Sequence, residues 1–193
     1  MITDWKKEIA VAWYVQNETS KLDTAKQWNY FLPNVAATEE EVVRVEEALG
    51  HPVDARYRGF LKFANGWRGF YQRVDLFGTA ELANGAPMHL AMSLLRAIEP
   101  EALEKSGVQE EQLLPIAVSS SDLDLFVITR PPSPQPGVVI WFAGYEIQRF
   151  TSFDEFFLAM VDYNRLRCER FRIGQEGVLA SRSIPKNTKR PES

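Results

Sequence analysis

The sequence has few of the residues that build disulfides and metal centres. Its 193 residues include one cysteine, Cys168, and two histidines, His51 and His89. A single cysteine excludes an intramolecular disulfide, and these counts leave neither a cysteine cluster nor three histidines for a zinc site. We therefore expect no bound metal and no other cofactor.

Long apolar runs are missing as well. No stretch approaches the roughly 20 apolar residues that cross a bilayer. Residues 1–20 place Asp4, Lys6 and Lys7 where a signal peptide needs an apolar run. The composition, with 45% hydrophobic and 25% charged residues, is that of a globular domain. We expect a soluble, cytoplasmic protein with one main domain and no membrane partner.

The charge balance is acidic, which argues against nucleic acid as a partner. The net charge is −4, but residues 174–193 hold four basic and two acidic side chains. Residues 1–173 therefore carry 18 basic and 24 acidic side chains, a formal charge of −6. Phosphate contacts depend on clustered lysine and arginine. The basic stretch 165–172 is interpreted as the solvated end of a helix.

Helical periodicity dominates the first part of the chain. Thr3 or Asp4 is placed to cap a helix that begins at Trp5. The spacing of apolar residues predicts a second, short helix over 25–32, which ends at Pro33 because proline lacks the amide donor.

Two further helices have clear start signals. Thr38 and Glu41 form a capping box, and Gly50 supplies a left-handed end to that helix. Asp54 caps the next helix, which turns Tyr57 toward the core. The last helix of the chain begins at a second capping box, over 152–155.

Period-two alternation predicts strands in the second half of the chain. The predicted strands cover residues 70–77, 122–130, 138–143 and 146–150. Short hairpin loops connect the last three, so the sheet is antiparallel. Residues 78–114 have a weaker pattern, with a turn of helix at Glu81 and helices at 91–98 and 100–105.

Candidate catalytic groups lack partners in the sequence. Ser119, Ser120 and Ser121 have no Gly-x-Ser-x-Gly context, so a solvated loop is the favoured interpretation. Cys168 lies among arginines, which could raise the reactivity of a thiol, but the C-terminal end of a helix acts the other way. A thiol without a catalytic role is the favoured interpretation. The two histidines have no carboxylate nearby in the sequence and are expected at the surface.

Asp122 and Asp124 lie two residues apart, so both point to one face of a predicted strand. Paired carboxylates can bind a hard cation or act as acid and base. However, no third ligand is spaced to join them. We interpret this face, shared with Phe126 and Ile128, as amphipathic, partly exposed and suited to a partner protein.

Five motifs follow one another in an order that resembles one known family. They are Thr38-Glu-Glu-Glu with Leu49-Gly50, Tyr57-x-x-Phe60-Leu61, Asn65-Gly66-Trp67, Leu114-Pro115-Ile116 ahead of Asp122, and Ser152-Phe-Asp-Glu-Phe156. Over residues 36–163 the chain resembles the SUKH superfamily in its Smi/Knr branch. It departs from the family pattern at Pro52-Val53, where the family has Leu-Pro, and in its long 131–137 loop.

The resemblance implies an α+β fold in which helices pack on one side of a mostly antiparallel sheet. We expect residues 36–173 to form the SUKH-like domain. Residues 1–35 are expected to form a helical extension packed on the domain, and residues 174–193 a disordered tail.

The resemblance also implies a function. Bacterial members are similar to immunity proteins that bind and neutralise polymorphic toxins, often nucleases, whereas fungal members look like adaptor-type regulators of cell-wall synthesis. We therefore expect a non-enzymatic protein whose partner is a basic cognate toxin domain. An interaction adaptor without a toxin is the alternative.

The candidate partner-binding residues are Asp75, Asp122, Asp124, Tyr145, Glu146 and Trp67. The three aspartates are assigned to the less covered face of the sheet, and Tyr145-Glu146 to a hairpin turn. Trp67 fits either a core position or an exposed anchor, and the usual burial of tryptophan favours the core.

Overall fold

The computed structural model describes residues 2–182, with side chains described through Gly174. The helices are α1 (Trp5–Leu22), α2 (Glu39–Leu49), α3 (Ala55–Leu61), α4 (Thr79–Leu82), α5 (Ala86–Arg96), α6 (Pro100–Lys105) and α7 (Phe153–Arg182). The strands are β1 (Trp67–Tyr71), β2 (Val74–Leu76), β3 (Leu113–Ser119), β4 (Leu125–Thr129), β5 (Val139–Phe142) and β6 (Glu146–Phe150). The strands form one antiparallel sheet in chain order, which confirms the α+β class.

The predicted helix starts are confirmed where a side chain caps the backbone. Asp4, rather than Thr3, caps α1 by accepting from the Lys7 amide. Thr38 and Glu41 bond reciprocally at the start of α2. These contacts satisfy amides that the first helical turn leaves without partners.

The short helix predicted over 25–32 is wrong. The Asp23 carboxylate accepts hydrogen bonds from the Gln27 and Trp28 amides, and Lys26 adopts a positive φ of 49°. Further along, the Asn34 amide donates to the Gly66 carbonyl oxygen. These amides are thus paired with the Asp23 side chain or with the distant Gly66 rather than within a helix. The segment between α1 and α2 therefore has no helical structure.

The single strand predicted over 70–77 is instead a hairpin. Tyr71 pairs with Val74, and the chain reverses through Gln72 and Arg73. Gln72 has a φ of 53°, a left-handed conformation that side chains rarely adopt outside turns. The alternating sequence pattern over residues 70–77 therefore continues across a turn instead of following one strand.

Helices cover both faces of the sheet, which corrects the expectation of helices on one side. Gln148 in β6 accepts a hydrogen bond from Tyr163 of α7 at 2.5 Å. Its neighbour Arg149 points the opposite way and donates to the Ser106 carbonyl oxygen, beside α6, at 2.6 Å. Every residue of β3 and β4 is buried, so both faces of these strands need a cover.

Helix α1 and helix α7 pack together over aromatic side chains. The Trp5 ring lies 5.5 Å from the ring of Phe60 in α3 and 5.1 Å from that of Phe157 in α7. All three side chains are buried. The N-terminal helix thus contributes directly to the main core.

Helix α7 extends past Gly174 to Arg182, so it overlaps the start of the predicted tail at 174–193. Residues 183–193 of that predicted tail lie outside the described residues. Among the helices that the structure describes, none combines the length and apolar character needed to cross a membrane.

Candidate functional site

Three hairpin turns lie together at one end of the sheet. They connect β1 to β2 at residues 72–73, β3 to β4 at 120–124, and β5 to β6 at 143–145. Each strand runs antiparallel to its neighbours, so alternate turns occur at the same edge. This arrangement places Asp122, Asp124 and Tyr145 at one end of the molecule.

Asp122 and Asp124 have different surroundings within their shared turn. Asp122 is exposed and accepts hydrogen bonds from the hydroxyls of Ser119, at 3.2 Å, and Ser121, at 2.9 Å. Asp124 is half-buried and accepts from the Trp141 indole nitrogen at 2.8 Å. Burial raises the pKa of Asp124 above its usual range. Within the described part of the chain, no group of three or more potential ligands could hold a metal ion.

The prediction of a partly exposed face on β4 is wrong. Phe126 and Ile128, the residues assigned to that face with the aspartates, are fully buried. The Phe126 ring lies 5.2 Å from the ring of Phe156 in α7, so the last helix covers this face. The aspartates remain accessible to different degrees because they precede the strand, which begins at Leu125.

Two other candidate residues have internal contacts. The Asp75 carboxylate accepts from the Gly69 amide at 2.7 Å and so braces the β1–β2 hairpin. Trp67 has no exposed surface, and its indole nitrogen donates to the Phe31 carbonyl oxygen at 2.8 Å. Trp67 therefore occupies the core, the favoured of its two interpretations, and we withdraw it from the candidate surface.

The turn between β5 and β6 offers accessible side chains. Tyr145 is 63% exposed and Ile147 is 41% exposed. Glu146 pairs with Arg149 at 2.8 Å, and this hydrogen bond lowers the pKa of Glu146. Because Arg149 also bonds to Ser106, the turn is held against the end of α6.

A groove of about 790 Å³ separates this turn from α6. Glu99 and Glu101 lie on its far side. Residues 99–111 contain five glutamates and one basic residue, Lys105. We define the acidic surface as Glu99, Glu101, Tyr145, Glu146 and Ile147, all of which line this groove.

Glu99 and Glu101 of this surface were not among the residues predicted from the sequence. The signal was present as a run of glutamates, but residues 78–114 gave only a weak structural pattern. Only the folded sheet shows that Glu99 and Glu101 of this run line one groove with Tyr145 and Ile147.

Two of the candidate nucleophiles, Ser119 and Cys168, are buried in the fold. Ser119 is buried, and its hydroxyl also accepts from the amides of Ser121 and Asp122, a local turn that serine commonly forms. Cys168 is buried in α7. The His51 ring nitrogen Nδ1 lies 2.9 Å from the Pro52 carbonyl oxygen.

The sequence of the chain matches a known protein family. A sequence model of the SMI1 / KNR4 family (SUKH-1) matches residues 36–159. This span is more than half of the chain, and it runs from the residues before α2 into α7. No curated protein matches the chain.

Proposed function

Because the chain belongs to the SMI1 / KNR4 family (SUKH-1), we propose that it is an immunity protein that binds and neutralises a cognate bacterial toxin domain. Proteins of this family are generally immunity or adaptor proteins. Neutralisation by binding needs a complementary surface rather than a reacting group. The observation that carries the proposal is the acidic surface, in which three glutamates line one groove with the exposed side chains of Tyr145 and Ile147.

The charge of this surface suits a basic partner. Glu99 and Glu101 are exposed, while Lys105 pairs with Glu101 and Arg149 pairs with Glu146 at the same groove. Residues 1–173 as a whole carry a formal charge of −6. A concentration of negative charge increases the association rate of a positively charged protein. A basic toxin domain, such as a nuclease that binds nucleic acid, has the matching charge.

The apolar centre of the surface would determine how long the complex lasts. Tyr145 in the turn and Ile147 in the adjoining strand β6 belong to a hairpin that the Glu146–Arg149 ion pair and the Arg149–Ser106 hydrogen bond hold in place. An aromatic side chain in a preordered turn loses little conformational entropy on binding. Such residues commonly supply most of the binding energy of an interface.

The first test pairs the chain with the toxin domain encoded beside its gene. We expect co-expression to restore growth of cells that produce the toxin, and we expect the two purified proteins to co-elute. Failure of both rescue and co-elution would overturn the proposal, and an adaptor function would then take its place.

A second test locates the interface. Tyr145→Ala should weaken toxin binding at least about tenfold, because it removes the central aromatic contact. Tyr14→Ala is the matched control, since Tyr14 is 64% exposed on α1, away from this surface. Equal loss of affinity in both variants, or in neither, would show that the acidic surface is not the interface.

A further inference from the structure

A second groove lies on the opposite side of the sheet from the acidic surface. It has a volume of about 500 Å³ and is bounded by the segment after α1, the β1–β2 turn and α7. Its main lining residues are Trp28, Tyr71, Tyr163, Arg167, Arg170 and Phe171. The family match ends at residue 159, so the residues that α7 contributes to this groove lie outside it.

Arg167 is the unusual residue of this groove. Its Nε and Nη1 atoms are buried and have no hydrogen-bond partner. The guanidinium carbon lies 4.9 Å from the centre of the Trp28 ring, and burial lowers the pKa of Arg167. Burying guanidinium nitrogens without hydrogen bonds costs free energy of folding, and a negatively charged ligand beside Arg167 would offset part of that cost.

The nearby acid, Asp23, does not fill this role. Its carboxylate already accepts from the amides of Gln27 and Trp28, at 3.0 and 3.1 Å, and from the Tyr30 hydroxyl at 3.2 Å. The negative charge of Asp23 reaches Arg167 only as a longer-range electrostatic effect. Arg167 therefore lines the groove without a carboxylate partner among the described residues.

Aromatic rings form the walls of the groove in fixed orientations. Trp28 and Phe171 pack edge to face with ring centres 5.7 Å apart, and Tyr71 and Tyr163 lie 6.1 Å apart. The Tyr163 hydroxyl is anchored by Gln148. Flat rings around a guanidinium suit a ligand that has both a planar apolar body and a negative charge.

We propose that this groove binds a small organic anion, whose planar apolar body packs between the aromatic rings and whose carboxylate or phosphate group pairs with Arg167. The volume is in the range of small-molecule sites. Arg170, exposed at the rim, adds a second positive charge. This site is separate from the acidic surface and does not depend on the proposed function.

The test uses the full chain and two pairs of probes in isothermal titration calorimetry. Indole-3-carboxylate is compared with its neutral carboxamide, and adenosine monophosphate is compared with adenosine. We expect one anion to bind at least about tenfold more tightly than its neutral counterpart, because only the anion forms a charge-assisted contact with Arg167. The preferred pair distinguishes a carboxylate ligand from a phosphate ligand.

Two arginine variants complete the test. Arg167→Gln should abolish the preference for the anion, whereas Arg165→Gln should preserve it, because Arg165 is exposed and paired with Asp162. Arg167→Gln should also unfold at a urea concentration no lower than that of the parent chain, since it removes a buried charge. Absence of saturable binding, equal binding of the neutral probes, or an unchanged preference in Arg167→Gln would each overturn the proposal.

Discussion

Two buried amide side chains connect the helices to the end of the first strand. Gln16 of α1 donates to the carbonyl oxygens of Gly69, at 3.2 Å, and Phe70, at 2.8 Å. Asn164 of α7 donates to the same Phe70 oxygen at 2.9 Å. Both side chains are almost completely buried. Because buried carbonyl groups need hydrogen-bond partners, these two side chains fix the positions of α1 and α7 relative to β1.

We predict that Gln16→Ala lowers the free energy of unfolding by about 1–3 kcal/mol, since it leaves the buried Gly69 carbonyl without this donor. Urea denaturation followed by circular dichroism measures the change. Lys6→Ala is the control, because Lys6 is exposed on the same helix. A midpoint for Gln16→Ala equal to that of Lys6→Ala would contradict the assigned role.

Asp124 makes stability depend on pH in a defined direction. Burial raises the pKa of this carboxyl, the Trp141 indole opposes the shift, and the charge of Asp122 adds to it. The folded state therefore binds the proton more tightly than the unfolded state. This group favours folding in acid, and that contribution is lost as the pH rises through the raised pKa.

Ionising the half-buried Asp124 carboxyl costs free energy of folding at neutral pH. We predict that Asp124→Asn removes this cost, while the asparagine side-chain oxygen still accepts the hydrogen bond from Trp141. The variant should be at least as stable as the parent chain near neutral pH, and its advantage should shrink toward about pH 4. Urea midpoints measured between about pH 4 and pH 8 test this. An advantage that grows as the pH falls would contradict the assignment.

At the scale of elements, the connection from β2 to α4 depends on a close backbone contact. A Cβ atom on Gly78 would lie 2.3 Å from the Asn65 carbonyl oxygen. The Asn65 side chain also bonds to Thr79, so the two segments are fastened together. Only a residue without a side chain fits at Gly78 unless the backbone moves.

We predict that Gly78→Ala lowers the free energy of unfolding by about 1–3 kcal/mol through this overlap. Gly174→Ala is the matched control, since a Cβ there meets nothing within 4 Å and the residue lies in α7. That control should be neutral or stabilising by up to about 1 kcal/mol. Thermal unfolding of both variants gives the comparison, and equal midpoints would contradict the close contact.

Elements were predictable where the deciding contacts are local. Thr38 and Glu41 have the three-residue spacing of a capping box, so the sequence alone predicts the start of α2. The segment after α1 was not predictable, because its backbone bonds reach distant residues such as Gly66. The turn at Gln72 was missed because it lacks the glycine or asparagine that usually marks a left-handed conformation.

The candidate surface was predictable only in part, and for a reason at the scale of the whole molecule. Tyr145 and Glu146 follow Gly144 in a recognisable hairpin turn, so their exposure could be expected. The position of Glu99 and Glu101 beside that turn depends on α6 crossing the far face of the sheet. No local sequence pattern encodes such a crossing, so the groove could not be predicted from the sequence.

The whole molecule also depends on a part that the family match leaves out. Residues 1–35 precede the matched span, yet Trp5 packs against Phe60 and Phe157 in the main core. The Phe31 carbonyl oxygen accepts from Trp67. The Trp5 side chain therefore fills space between α3 and α7.

We predict that a chain beginning at residue 36 fails to unfold cooperatively, because it exposes Phe60 and Phe157 to water. In the full chain, Trp5→Ala should lower the free energy of unfolding by about 3–5 kcal/mol, the range for a buried aromatic residue. Tyr14→Ala, on the exposed side of the same helix, should change it by less than about 0.5 kcal/mol. Urea unfolding followed by tryptophan fluorescence and circular dichroism measures all three. A shortened chain with the full-length midpoint would show that α1 is dispensable for the core.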